Sequence, residues 1–313
     1  MNTTHSLKRR MVAALAATAA VAGSAIALGA PATAKPSDNA NPRAHEATQC
    51  AGRSVPANKI SIQLYSYASW IGQEGIDTVL DELDDIGFRN VEPYGGSFGD
   101  YTKAEFRDEL RDRGMRALSS HGSTNEATFD ATLADAKDLG QKWVGSGGFA
   151  SPGIDSYEDT LATAEALNRL GERSVKNGTG KIFGHNHWWE FETQYADPET
   201  GEMKSAWEII VENTDPRYVT FQLDVYWAIN GGADPVALLE EHGDRIELLH
   251  IKDGTAPYGF GDLTDVGEGD IDWGPILRAA QGNVKLYVLE RDGAPADAEF
   301  ARDSFDFLTC YTY

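Results

Sequence analysis

A chain of 313 residues, 41% hydrophobic and 24% charged, is long enough for one large domain and little more. Its formal net charge is −22. The N-terminal leader carries three basic residues and no acidic one, so the exported chain has 24 Lys+Arg against 49 Asp+Glu, a net −25. A surface that negative repels phosphate backbones and anionic lipids, which argues against nucleic acid and, more mildly, against sugar phosphates as the ligand.

Lys8, Arg9 and Arg10 precede an Ala/Val-rich apolar stretch, 11–30, and Ala32-Thr33-Ala34 follows it. That is the layout of a secretory signal peptide over 1–34. The arginine pair is compatible with a twin-arginine route; a mildly hydrophobic membrane anchor is the alternative. Residues 35–57, rich in Ala, Pro, Asn and Ser, read as a disordered connector. No later stretch is apolar enough to span a bilayer, so the mature form is expected to be secreted and free of the membrane.

From residue 58 the chain alternates strand and helix signals. Run 60–65 is apolar and β-rich. Ile76, Val79, Leu80, Leu83 and Ile86 stand at helical spacing, and Gly87 follows as a C-cap. A short strand covers 91–94. Thr102 and Glu105 form a capping box that opens a helix over 103–113, ended by Gly114. Strand three, 115–119, leads to His121. A helix over 130–139 stops at Gly140, and 142–145 is strand four. The long helix 157–177 closes at Gly178. Strand five is 181–183, with a helix at 206–212. Strand six, 219–223, runs into Asp224, and no helical signal resumes before the helix 235–242. Strand seven is 246–250. Asp272-Trp273 opens a helix at 274–280, strand eight is 284–289, and the last helix runs from 296 to 308.

Eight βα units in about 255 residues predict an α/β fold, a closed (β/α)8 TIM barrel forming one domain over 58–313. An open doubly wound sheet is the alternative. It lacks its glycine-rich turn after strand one, where Gln63-Leu64-Tyr65-Ser66 stands instead.

Ligand-type side chains collect at the strand ends. Residues 184–190 read Gly-His-Asn-His-Trp-Trp-Glu, and Asp224, His250 and Glu290 each follow a short apolar run. The C-terminal ends of barrel strands build the active site in this fold. Carboxylates and imidazoles in one ring suit a divalent cation such as Mn, Co, Zn or Fe. His185 and His187 are two apart on a strand, so both can face the barrel mouth.

A plainer role competes with each. Asp224 could cap a helix, which the gap before Pro235 argues against. His250 could be a structural imidazole. Glu290 could pair with Arg291 or a lysine, although a lone carboxylate there is costly to bury without a cation. Trp188 and Trp189 are either an aromatic wall for a sugar or plain core. Gln63, Glu92, His121 and Lys252 are candidate substrate contacts. Gly267-Glu268-Gly269 is a flexible loop before the Asp272 cap, or a simple turn.

The segments Ser61-Ile62-Gln63-Leu64-Tyr65-Ser66, Val91-Glu92, Ser119-Ser120-His121, His185-Asn186-His187 with Glu190-Phe191, Gln222-Leu223-Asp224-Val225-Tyr226-Trp227, Leu249-His250-Ile251-Lys252-Asp253, Gly267 through Trp273, and Leu289-Glu290 occur in order, nearly all at a strand end. Together they resemble the sugar phosphate isomerase/epimerase family of xylose-isomerase-like TIM barrels, over nearly all of the mature chain. The resemblance implies a divalent metal at the C-terminal face and chemistry beside a carbonyl or hydroxyl of a sugar, with carboxylates or His moving protons. By position, Asp224, His250 and Glu290 resemble the metal ligands of strands six, seven and eight. The family's strand-five ligand is usually Glu, but this chain has His185-Asn186-His187 and no acid until Glu190. Either His185 fills the metal position, or Glu190 reaches back as ligand or base. Glu290 is the expected base, with Glu190 or His187 as its strand-five counterpart.

The two cysteines, Cys50 before strand one and Cys310 at the end of the last helix, flank the ends of the barrel. Those ends meet on closure, and an oxidising compartment favours a disulfide over two unpaired thiols.

The sequence thus points to a secreted, divalent-metal-dependent sugar isomerase or epimerase, or a lyase on keto-sugars or 3-keto-glycosides, working through a stabilised enediolate on an unphosphorylated sugar. A non-catalytic sugar-binding barrel is one rival, kept open by the missing strand-five Glu. An endonuclease IV-like phosphodiesterase is another. It needs more metal ligands than a chain with seven His, two of them before residue 50, provides.

Overall fold

Short apolar runs closed by capped helices settle into alternating strands and helices in a computed structural model that describes residues 54–313. The expected signal peptide 1–34, nearly all of the connector 35–57 and Cys50 lie outside the described residues. Those that are described belong to one compact unit.

Strand one is Ile60–Ile62, strand four Trp143–Gly145, strand five Lys181–His185, strand six Val219–Asp224, strand seven Ile246–Ile251 and strand eight Leu286–Leu289. They form a parallel sheet in the order one, eight, seven, six, five, four. Strands two and three are reduced to single parallel bridges, Gln63 to Glu92, Asn90 to Arg116, Tyr94 to His121, and His121 to Gly145. The bridges carry the chain from strand one to strand four and close the ring, which removes the open-sheet alternative. Pro93 offers no N–H to a ladder, one reason strand two stays this short.

Trp143, Phe183, Leu248, Leu286 and Val288 pack together as a separate apolar cluster inside the ring. A Cβ on residue 145 would fall 2.5 Å from the Phe183 ring, so only glycine lets strand four approach this plug. Below it, Glu247 accepts from Trp143 Nε1 at 2.6 Å and from Lys181 Nζ at 2.7 Å.

Helices Ile76–Ile86, Tyr157–Asn177, Ala206–Glu212 and Pro235–His242 fall where their apolar spacing and caps place them. The Thr102–Glu105 capping box is formed. Three short helices were not legible: Ala68–Glu74, Trp189–Glu192 and Val225–Asn230. The last corrects the expectation that no helix follows Asp224 before Pro235. Val225, Tyr226 and Trp227 are weak helix formers, and their burial overrides propensity. Among the described residues no helix is long and apolar enough to cross a membrane.

Candidate active site

The floor of the barrel mouth is organised by Glu92, which is fully buried. Its Oε1 accepts from His250 Nε2 at 2.9 Å and Gln63 Nε2 at 2.8 Å, and His121 Nε2 lies 3.2 Å away. Its Oε2 accepts from Gln222 Nε2 at 2.8 Å and from Ser119 Oγ. Burial would raise the pKa of this carboxyl. The imidazoles of His121 and His250 outweigh that and hold it below the usual range.

An ionised carboxylate only accepts, so Gln222 must turn its Nε2 to Glu92. Its Oε1 then faces His121 Nε2 at 2.9 Å and His185 Nδ1 at 3.0 Å. Both ring nitrogens must donate. His185 is thereby fixed with a proton on Nδ1 and a free lone pair on Nε2. Burial, followed by the neighbouring His250 and His121, keeps it neutral, with a pKa well below the usual imidazole value.

Strand register sets the next layer. Asp224 stands opposite His250, and Glu290 follows strand eight with its N–H on Ile251 O. His250 Nδ1 is 2.8 Å from Glu290 Oε2 and 3.8 Å from Asp224 Oδ2. The Lys252 ammonium, in a residue 2% exposed, is 2.9 Å from Glu290 Oε2, 3.3 Å from Asp224 Oδ2 and 2.9 Å from Asp292 Oδ2. Burial pulls the His250 pKa down, but Glu290 and Glu92 outweigh it and push the ring up to about 10. Glu290 is held well below the carboxylate range, because Lys252 and His250 overcome its burial. Asp224 goes the other way, since burial exceeds the pull of Lys252.

Asp224 does two jobs. Its Oδ1 accepts from Trp227 N at 3.0 Å and caps the unforeseen helix, so the cap reading holds after all. Its Oδ2 is buried and makes no well-formed hydrogen bond, its nearest cation being the Lys252 ammonium at 3.3 Å. That oxygen, His250 Nδ1 and Glu290 Oε2 face one another. Ligand atoms of Asp224, His250 and Glu290 all lie within 4.8 Å, as do those of an overlapping set, His121, His185 and His250. As a ligand His250 would be neutral, its proton on Nε2 toward Glu92; Lys252 counted against Glu92, Asp224, Glu290 and Asp292 then leaves −3, an excess that a divalent cation would offset. The residues therefore fit such an ion. Glu92 on Nε2 orients the His250 ring so that Nδ1 faces the ligand position, the usual carboxylate–histidine support.

A cavity of about 400 Å³ opens onto this cluster, within the range of small-molecule sites. His121, His185, His187, Lys252 and Glu290 line it as expected, with Tyr65, Tyr94, Trp227, Phe260 and Asp292. Four expected contacts are placed elsewhere. Gln63 and Glu92 lie beneath the floor, fully buried and committed to protein partners. Trp188 packs against Trp227 at 5.0 Å, and Trp189 stacks on His187 at 4.3 Å. The aromatic wall is made instead by Trp227, Phe260, Tyr65 and Tyr94.

Glu190 is not brought to the cluster either. On its short helix it accepts from His187 N at 2.8 Å and Trp189 Nε1 at 2.6 Å, and it borders a different cavity. Burial raises its pKa to about 7. His187 keeps an unpartnered Nδ1, and burial and then Lys252 lower its pKa to about 4.

Asp253 accepts from Trp273 Nε1 at 2.8 Å and Gly267 N at 2.9 Å. That explains why the 267–273 segment and the end of strand seven carry matching motifs: one holds the other. Asp292 and Gln222 went unassigned as site residues. Gln222 lies two residues before Asp224 on the same face of strand six, and Asp292 two residues after Glu290 in the turn beyond strand eight, which is the available signal.

A closed parallel barrel with one acidic, imidazole-lined cavity at its C-terminal strand ends is the architecture of the barrel enzymes that work at that face. The chain belongs to the xylose isomerase-like TIM barrel family, whose model matches residues 80–309. It is 26% identical over 211 residues to an inosose dehydratase from Geobacillus thermodenitrificans, covering 61% of this chain and 62% of that protein. The match thus spans less than two thirds of the relative. A solved sugar phosphate isomerase/epimerase from Parabacteroides distasonis superimposes with a TM-score of 0.67 at 26% identity, over 83% of this chain and 96% of that one. The solved IolI protein, which has a bound zinc atom, shares the fold at 17% identity, with a TM-score of 0.57 over 79% of this chain and 94% of that one.

Proposed function

We propose that this chain is an exported, divalent-cation-dependent enzyme that removes a proton beside the carbonyl of an unphosphorylated keto-sugar or ketocyclitol and expels the substituent at the next carbon. The observation that carries the reading is the convergence of Asp224 Oδ2, buried and met only by the Lys252 ammonium at 3.3 Å, with His250 Nδ1 and Glu290 Oε2.

Asp224, His250 and Glu290 would hold the cation, with the free Nε2 of His185 as the fourth donor. When bound, a Mn, Co, Zn or Fe ion supplies Lewis acidity toward a carbonyl and an adjacent hydroxyl. Glu290 has its Oε2 committed to His250 and Lys252, which leaves Oε1 without a protein partner beside the cavity. Oε1 takes the C–H proton. The electron pair forms a C=C bond conjugated with the carbonyl, and the C–O bond at the next carbon breaks. The departing oxygen leaves as water or an alcohol with the proton that Glu290 held, so atoms and charge balance.

Elimination is favoured over epimerisation because Glu190 is turned away. A two-carboxylate epimerase needs a second acid from strand five, and only neutral His187 and His185 face the cavity there. The inosose dehydratase relative points the same way. An unphosphorylated substrate follows from charge: Lys252 is the one Lys or Arg on the cavity wall, and three carboxylates already engage it.

The test is a panel of ketoses, ketocyclitols and 3-keto-glycosides in D2O. Deuterium at the carbon beside the carbonyl of recovered substrate, together with an absorbing enone product, is expected for one class. Exchange with no elimination would make the protein an isomerase or epimerase. No exchange with any member of the panel would leave the sugar-binding rival.

A further inference from the structure

We propose that Lys252 is a resident competitor for the cation site, and that Asp292 is the group that holds it aside when a divalent ion binds. The inference rests on the cation site described above and concerns how that site is filled.

The ammonium is 3.3 Å from Asp224 Oδ2 and 2.9 Å from Glu290 Oε2. Those are the two oxygens that face His250 Nδ1. A lysine there supplies part of the positive charge that a divalent ion would bring. Both cations cannot share one pair of oxygens in a buried site without strong repulsion. The lysine therefore has to yield as the ion enters.

The structure provides the place to which it yields. Asp292 Oδ2 is 2.9 Å from the same ammonium, and the Asp292 side chain is 23% exposed against 3% for Lys252. It stands two residues beyond Glu290, on the rim of the same cavity. Lys252 can keep this third contact while giving up the two inner ones. Trp227, whose ring centre is 5.3 Å from the ammonium, adds a second holding surface toward the aromatic wall. The pair Lys252–Asp292 thus sets the affinity of the site for cations, and Asp292 acts through the lysine.

The experiment is calorimetric titration of Mn(II) into chelator-treated protein. Lys252→Met should bind Mn(II) at least tenfold more tightly than the parent, whereas Lys252→Arg, which keeps the charge, should not. Asp292→Asn should weaken binding severalfold in the parent, because it leaves the lysine on the inner pair. In the Lys252→Met background the same change should lose most of its effect. Lys252→Gln serves if the Met variant fails to fold. Equal or weaker binding by Lys252→Met, or an Asp292→Asn effect of the same size in both backgrounds, overturns the proposal while leaving the cation site intact. No Mn(II) binding by the parent or any variant overturns the site and the proposal together.

Discussion

Replacing Glu92 with Gln separates a structural hub from a substrate contact. The carboxylate meets donors from Gln63, Gln222, His250 and Ser119, with His121 at 3.2 Å, and in the cation-free protein it is the counter-charge on the Nε2 side of a fully buried His250 whose carboxylate neighbours favour its charged form. An amide at this position can accept at one atom only. Its nitrogen must face either His250 and Gln63 or Gln222 and Ser119, and in both orientations at least one N–H donor loses its acceptor. Removing one partner of a buried charge pair typically costs about 3–5 kcal/mol. For a domain of this size, each kcal/mol is worth roughly 2–4 °C in Tm. Glu92→Gln should therefore melt roughly 6–20 °C below the parent. Cation affinity should fall about 10–100-fold, the usual cost of losing a group that orients a ligand. Thermal denaturation monitored by circular dichroism, with and without Mn(II), measures both. An unchanged Tm with a raised KM would refute the reasoning and return Glu92 to the substrate-contact role that its strand-end position first suggested.

Other outcomes follow from the same geometry. Glu190 has a folded pKa near 7 against an ordinary 4.5, so its contribution to stability is complete below about pH 4.5 and is lost as pH rises through about 7. The parent should lose up to about 3 kcal/mol over that window relative to Glu190→Gln, read from denaturation at pH 5 and pH 8; parallel pH profiles would show that Glu190 does not titrate in this range. Glu290→Gln should lower turnover by a factor of about 100 or more, in the range for loss of a general base, and near-parental kcat would assign the residue to structure. The expected Cys50–Cys310 bond encloses some 260 residues and stabilises by at most roughly 4–5 kcal/mol on chain entropy; two thiols titrating in unreduced, denatured protein would remove it.

Much of the barrel could be read from the sequence because its signals are local. Apolar spacing and terminal glycines such as Gly87, Gly140 and Gly178 fix helices within a few residues of one another. Asp224, His250 and Glu290 were legible because each interrupts an apolar run at a strand end. What stayed hidden depends on contacts across the ring. Glu92 meets His250 from 158 residues away and Gln222 from 130, and nothing in the local sequence of strand two announces either bond. The local pattern likewise suggested that Glu190 could reach back to the metal, whereas a four-residue helix turns it toward another cavity. Trp188 and Trp189 sit beside the site motif in sequence, yet Phe260, from the loop after strand seven, supplies part of the wall.

Crystals of the protein soaked in Mn(II), with anomalous data collected for that metal, test the central claim most directly. One anomalous peak is expected within bonding distance of Asp224 Oδ2, His250 Nδ1 and Glu290 Oε2, absent from Asp224→Asn crystals soaked in the same way. No peak at that position, or an equal peak in the Asp224→Asn variant, would contradict the assignment of these three residues and the chemistry built on them.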